Sequence, residues 1–160
     1  MVIMNIFYLD SNIKKCVQYY CDSHIVKMIL ESTQILCTVL HGCGIPAPYR
    51  PTHKQHPCII WAGQSLHNWR WLKLLTVELN KEYQFRFNRQ RPHHSYLVAA
   101  SLPLPPLPLI GFTERPLIMP DPYKIPGNPI ASYRLFYALG KKHLLKYTKR
   151  IPPYWLKEII

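Results

Sequence analysis

The stretch Cys21 to Leu40, CDSHIVKMILESTQILCTVL, constrains the fold more than any other, because it reads as one apolar helix with a single polar stripe cut into it. Advancing each residue by about 100° places His24, Lys27, Glu31, Gln34 and Thr38 within an arc of roughly 80°. Ile25, Val26, Met28, Ile29, Leu30, Leu36, Val39 and Leu40 cover much of the remaining circumference, more than a surface helix needs to hide. The expectation is a helix surrounded by the rest of the chain, its polar stripe facing a cleft or a strip of water. Asp22 breaks the pattern by projecting on the side of Ile29 and Leu40. In the first turn a carboxylate can cap free N–H groups and favour the helix dipole, and it can equally be a reactive group held beside His24.

A chain of 160 residues suits one domain with one sizeable core. The 48% of hydrophobic residues against 18% charged ones sets it apart from disordered chains, while sixteen prolines imply long irregular segments. Twenty Lys and Arg against eight Asp and Glu give a net charge of +12, which points to a polyanionic partner, nucleic acid before an anionic membrane surface. Five cysteines without a secretory signal favour a reducing compartment. No apolar run approaches the roughly 18 residues that span a bilayer, so the expectation is a soluble intracellular protein with no membrane partner.

From the N-terminus, VIMNIFYLD suits a short buried strand or an extended lead-in. Asn12 to Tyr20 predicts a short helix that joins the organising helix near Cys21 to Ser23, and Gly42 and Gly44 end the latter. GIPAPYRPTHKQHP is a proline-punctuated loop carrying Arg50, His53, Lys54 and His56. Pro57 fits the first position of the next helix, predicted to run to about Phe87 with a bend at Gly63. Residues 88–127 hold more than half of the prolines and read as an irregular arm within the single domain 1–160, with one short helix at HHSYLVAAS. LPLPPLPLI has the composition of a polyproline II ligand, but its leucines are expected to be pinned on the body of the protein. A last helix, capped by Asn128, is predicted over Ile130 to about Tyr147 with a basic end at Lys141, Lys142, His143, Lys146, Lys149 and Arg150. The fold class that results is mainly α.

Three constellations could carry chemistry. Asp22, His24, Lys27 and Glu31 combine carboxylates, an imidazole and an amine on one helix, the groups of acid–base or amine-nucleophile catalysis, although Lys27 and Glu31 at i,i+4 also make an ordinary helix ion pair. Cys21-x-x-His24 with His53-x-x-His56-x-Cys58 offers zinc-ligand types. No CxxC pair supports such a site and the two halves lie in different segments, so no metal is assigned. Arg70, Lys73, Lys81, Arg86, Arg89 and Arg91 are interleaved with rings, as in proteins that stack bases beside bound phosphates. No phosphate-cradling glycine loop or dinucleotide fingerprint occurs, and no cofactor is expected.

The set NIFYLD, CDSHIVKMILE, RPTHKQHPCIIW, LNKEYQFR, MPDPYK and WLK resembles an uncharacterised family of small proteins from bacteriophages and large DNA viruses, over most of the chain. The resemblance implies a viral, nucleic-acid-centred setting, in the cytoplasm or nucleus of an infected host cell. The order of a short lead-in, a helix with a carboxylate near its start, a proline-bearing loop and a long aromatic helix is also similar to the phage pyrimidine-dimer DNA glycosylases with lyase activity. That family uses a helix glutamate beside arginines and an N-terminal α-amine that attacks the sugar. Asp22 falls where that glutamate would stand, and His24 and Lys27 stand where arginines would. MVIMN lacks the small residue after Met1 that such an amine follows, so Lys27 is a second candidate amine.

The resulting expectation is a DNA-acting enzyme of the base-excision type, with a non-catalytic nucleic-acid-binding protein as the alternative and a metal-dependent nuclease third. Asp22, His24, Lys27 and Glu31 are the expected catalytic set. Arg50, His53, Lys54, His56, Arg86, Arg89, Arg91, Lys146, Lys149 and Arg150 are the expected DNA contacts.

Overall fold

Most helices start where a short polar side chain or a histidine precedes a helical run, and that side chain accepts from a backbone N–H that the first turn leaves unpaired. The computed structural model describes residues 4–159. α1 spans Ile13–Gln18, and Asn12 Oδ1 accepts from Lys15 N at 3.0 Å. α3 (Pro57–Gln64) is capped by His56 Nδ1, α4 (Leu66–Arg86) by Ser65 Oγ, α5 (His94–Ser101) by His93 Nδ1 and α6 (Pro129–Leu135) by Asn128 Oδ1. α2 (Asp22–Gly42) is the exception. Its N-cap Cys21 makes no side-chain cap bond, and Asp22 does not supply one. Gly44, at φ +76°, closes the far end of α2 in the left-handed conformation a glycine adopts without strain.

α2 is the axis of the molecule and packs most extensively along α4, with α3 and α5 on its other flanks. Ile25, Ile29, Ile35, Leu36 and Leu40 of α2 meet Trp69, Leu72, Leu75 and Leu79 of α4 in one core. The segment from Met4 to Leu9 threads beneath as an extended, mostly buried chain, and no strand forms among the described residues. Val2 and Ile3 of the expected lead-in lie outside the described residues.

Three expectations are corrected. The helix expected over Pro57 to Phe87 is two, because Ser65 is fully extended (φ −151°, ψ 155°) and starts α4 afresh; the break falls two residues after Gly63. The last helix is regular only to Leu135, opens into a π-turn over Phe136–Gly140, and continues as a 3₁₀ turn (Lys142–Leu144) and an irregular strap. At Gly140 any Cβ would sit 2.6 Å from the Phe136 ring, so the π-turn brings backbone onto that ring where only glycine fits. The leucines hold the proline-rich arm only in part: Leu102 is in the core and Leu107 packs half-buried against it, but Leu104, Leu109 and Ile110 are exposed. Polar bonds pin the arm as well: Lys73 Nζ to the Leu102 carbonyl (3.0 Å), Leu66 N to that of Pro108 (3.0 Å), Asn68 Nδ2 to Thr113 Oγ1 (2.7 Å) and Tyr133 Oη to the Pro116 carbonyl (2.7 Å).

α7 (Trp155–Ile159) closes the chain, with Trp155 edge-on to Tyr19 at 5.6 Å between ring centres. No helix among the described residues is long and apolar enough to cross a membrane.

Candidate functional site

The face of α2 that meets solvent is not the predicted stripe. Ser23, Val26, Lys27 and Leu30 are exposed, a face turned roughly 60° from the polar arc at 100° per residue, whereas His24, Glu31 and Thr38 are buried. The polar stripe therefore runs under the fold along one edge and surfaces only at Lys27 and Gln34. The four expected catalytic residues separate into three environments.

Asp22 belongs to a buried ionic network. Its Oδ1 accepts from Arg86 Nη1 (3.2 Å) and Thr148 N (2.9 Å), and its Oδ2 accepts from Thr148 Oγ1. Arg86, 1% exposed, also donates Nε to Glu82 (2.8 Å), Nη1 to the Tyr20 carbonyl (2.6 Å) and Nη2 to the Gln18 carbonyl (2.9 Å). Arg150 closes the network on Glu82. These bonds tie the end of α1, the start of α2, the end of α4 and the C-terminal strap together. Asp22 is a structural carboxylate with both oxygens hydrogen-bonded, and Arg86, expected on the DNA surface, is a core cation with no edge left for a phosphate.

His24 lies under the fold, stacked on Phe7 (4.4 Å between ring centres) with Nδ1 2.6 Å from the Tyr137 hydroxyl. Burial, with Lys141 and Lys27 nearby, pulls its pKa down to about 3, so the imidazole is neutral at physiological pH. It buttresses the π-turn and, being neutral, is no general acid near neutrality.

Glu31 is the anomaly. It is 3% exposed, and among the described residues neither carboxyl oxygen has a hydrogen-bond partner. Lys27 Nζ is 3.9 Å away, at the limit of an ion pair, with its own side chain about half exposed. Burial raises the Glu31 pKa to about 7, against the opposing charges of Lys27 and Lys141. A buried carboxyl that exchanges its proton near neutrality, beside an amine that reaches solvent, is the arrangement in this molecule most suited to acid–base chemistry.

The expected DNA contacts fall at the two ends of α2. At its start the strap brings Lys146 alongside, through the bond from Asp22 N to the Lys146 carbonyl (2.8 Å). Lys149 donates to the Phe85 carbonyl (3.0 Å) and to Asn88 Oδ1, joining the strap to the loop that carries Arg89 and Arg91. Arg150 lies over the Phe85 ring, 4.5 Å from its centre, and is committed to Glu82. Towards the far end, Arg50 stands with Leu30, Gln34 and Thr52 around an open cleft of about 610 Å³. His53 and Lys54 are exposed beside it, and His56 is half-buried as the α3 cap.

His53 and His56 do not join Cys21 and His24: among the described residues no three His, Cys, Asp or Glu side chains are grouped so as to share a metal ion. Tyr137, Lys141 and Arg115 matter more than the sequence suggested. Of these only Lys141 stood in a cluster that reading the chain picks out. Compared with protein-family models, with curated proteins and with solved structures, the chain matches none.

Proposed function

We propose that the protein binds DNA along the solvent face of α2. The observation that carries this reading is how the charge is sorted. Three of the eight acidic residues, Asp22, Glu31 and Glu82, are buried, against one of the twenty Lys and Arg, Arg86, so the surface is more positive than the sequence total of +12. Lys146 and Lys149 at the start of α2, Lys27 in its second turn and Arg50 beside Leu30 and Gln34 follow the helix. Asp22 to Thr38 is about 24 Å at 1.5 Å per residue, the axial length of roughly seven base steps. In a fluorescence-anisotropy titration with a labelled duplex, log Kd against log salt is expected to be steep, and Lys27→Ala and Lys146→Ala each to lower the slope by about one. Binding indifferent to salt, or none at low salt, contradicts the reading.

A second, enzymatic reading is favoured by the Glu31–Lys27 pair alone. In a glycosylase/lyase of the base-excision kind, an amine nitrogen bonds to the sugar C1′ as the bond to the base breaks, the base leaves with a proton, and the opened sugar remains as an imine. Lys27 is the amine on the proposed track, and Glu31 replaces Asp22 as the carboxyl beside it. The α-amine lies outside the described residues. Borohydride reduction of the protein on ultraviolet-irradiated or abasic DNA is expected to give a covalent adduct in the wild type and none in Lys27→Ala, with DNA binding retained. No adduct on either substrate leaves the binding protein as the function.

A further inference from the structure

Among the described residues, the arm places one arginine where rings, and no carboxylate, face its charge. The Cζ of Arg115 lies 3.6 Å from the ring centre of Tyr8, 3.9 Å from that of Trp71 and 4.6 Å from that of Trp61. Trp71 stands nearly perpendicular to Tyr8 (82°) and to Trp61 (86°), so the rings close on the guanidinium from more than one side and leave only part of its in-plane edge, where the five N–H donors point, uncovered. Other ring-stacked arginines use that edge inside the protein. Arg134, 5.2 Å from the Trp155 ring centre, pairs with Asp10 at 2.9 Å and donates to the Leu9 carbonyl, and Arg150 over Phe85 pairs with Glu82. Among the described residues, Arg115 has no carboxylate within ion-pair distance and no hydrogen-bond partner, and none of its nitrogens is sealed from solvent.

Two open clefts share Arg115 as wall. One, of about 800 Å³, lies towards Trp61 and Gln64 of α3, and the other, of about 490 Å³, towards Ser11 and Trp71. Both are within the size range of small-ligand sites. A stacked, largely desolvated cation without a counter-ion is costly, and burial already pulls the Arg115 pKa below its usual value. An anion with several oxygens in one plane of approach completes the guanidinium in a way water does not. Glu114 lines both clefts without pairing with Arg115, which weakens any anion that does not reach the guanidinium edge itself.

We propose that Arg115 in its ring box is a phosphate-binding site that takes the phosphate of a nucleotide, free or within a DNA strand, with the aromatic cleft walls receiving the attached sugar or base. The two clefts share no lining residue with the cleft on the α2 track, and inorganic phosphate and the monophosphate probe Arg115 without a duplex, so failure at one site is distinguishable from failure at the other.

The test titrates the intact protein with inorganic phosphate, a deoxynucleoside monophosphate, the same nucleoside without phosphate and a short single-stranded oligonucleotide, following tryptophan fluorescence, to which Trp61 and Trp71 contribute. A saturable change with inorganic phosphate and the monophosphate, none with the nucleoside, and at least tenfold weakening in Arg115→Gln is the expected result for a free nucleotide. A response to the oligonucleotide alone, with a salt slope lower by about one in Arg115→Gln, assigns the site to a strand phosphate. Should Arg115→Gln fail to fold, modification of Arg115 in the wild type by an arginine-specific dicarbonyl, read by mass spectrometry, replaces it, and the same phosphates are expected to slow that modification. No response to any phosphate probe, an undiminished response in folded Arg115→Gln, or no protection of Arg115 overturns the proposal and leaves Arg115 as a staple for the arm.

Discussion

Asp22 and Glu31 are nine residues apart on α2, both are buried, and they meet opposite fates. At the start of the helix, Asp22 has a guanidinium, a hydroxyl and a backbone N–H on its oxygens. In the middle, Glu31 has none on either oxygen among the described residues and only Lys27, at 3.9 Å, within ion-pair distance. A buried carboxylate with both oxygens hydrogen-bonded belongs to a network that holds four chain segments together. A buried carboxyl with none engaged contributes little to holding the fold and keeps a proton it would lose in water. The contrast separates the structural carboxylate of this helix from the one available for chemistry, and it reverses the weight the sequence placed on Asp22.

The largest expected effect attacks the structural end. Arg86→Met leaves Asp22 and Glu82 buried beside each other without their shared cation, and the loss of stability is expected to be about 3 to 5 kcal/mol, read by denaturant unfolding. A loss under 1 kcal/mol makes the network incidental and the contrast unfounded.

The next effect lies at the other end and depends on pH. The folded-state pKa of Glu31, about 7, lies above the unfolded value near 4.5, so between those pH values the folded protein holds more of the Glu31 proton than the unfolded chain does. The Glu31 contribution to stability is therefore fully present below about pH 4.5, falls as pH rises to about 7, and is absent above, by about 3 kcal/mol in total. His24 works in the opposite sense, since its depressed folded pKa makes stability rise with pH between about 3 and 6.5. Because Glu31→Gln retains His24, the difference between its stability and the wild type's isolates the Glu31 term. That difference is expected to shift in favour of Glu31→Gln from pH 5 to pH 8, and a flat difference removes Glu31 from the account.

The smallest effect concerns the amine between the two ends. Lys27 is about half exposed and its ion pair is long, so Lys27→Ala is expected to change stability by less than about 0.5 kcal/mol while lowering the salt dependence of DNA binding. A large stability change with unaltered salt dependence turns Lys27 into a partner of the core and takes it off the track.

The helices were legible where local chemistry decides them. Asn12 and Asn128 cap, Pro57 and Pro129 open helices, and Gly44 ends α2, all features of one turn of chain. The break at Ser65 was missed because a serine that starts a helix looks the same as one inside it until its backbone is extended. The π-turn was missed for a different reason, since it depends on Phe136 packing on Tyr123 and on Gly140 yielding room to that ring, contacts made across the fold.

At the site, the 100° wheel found the residues of the stripe but not its orientation. Val26 and Leu30 face solvent, while His24 lies against Phe7 of the lead-in and Tyr137 of the π-turn, and Glu31 is buried. Which edge of an amphipathic helix is covered depends on partners from distant segments, here Phe7, Tyr137 and Lys141. Arg86 misled for the same reason: its carboxylate Glu82 is one turn away and readable, but Asp22 and the carbonyls of Gln18 and Tyr20 come from the other end of the fold.

The direct test of the contrast is the titration of the two carboxyl groups themselves, followed by the ¹³C resonances of the Asp22 and Glu31 side chains in the folded protein. The Glu31 carboxyl is expected to titrate with a midpoint near 7 and to lose that resonance in Glu31→Gln. A Glu31 midpoint at the ordinary glutamate value near 4.5 means a solvated carboxylate, which contradicts the burial and the missing partners on which the separation of a structural from a chemical carboxylate rests.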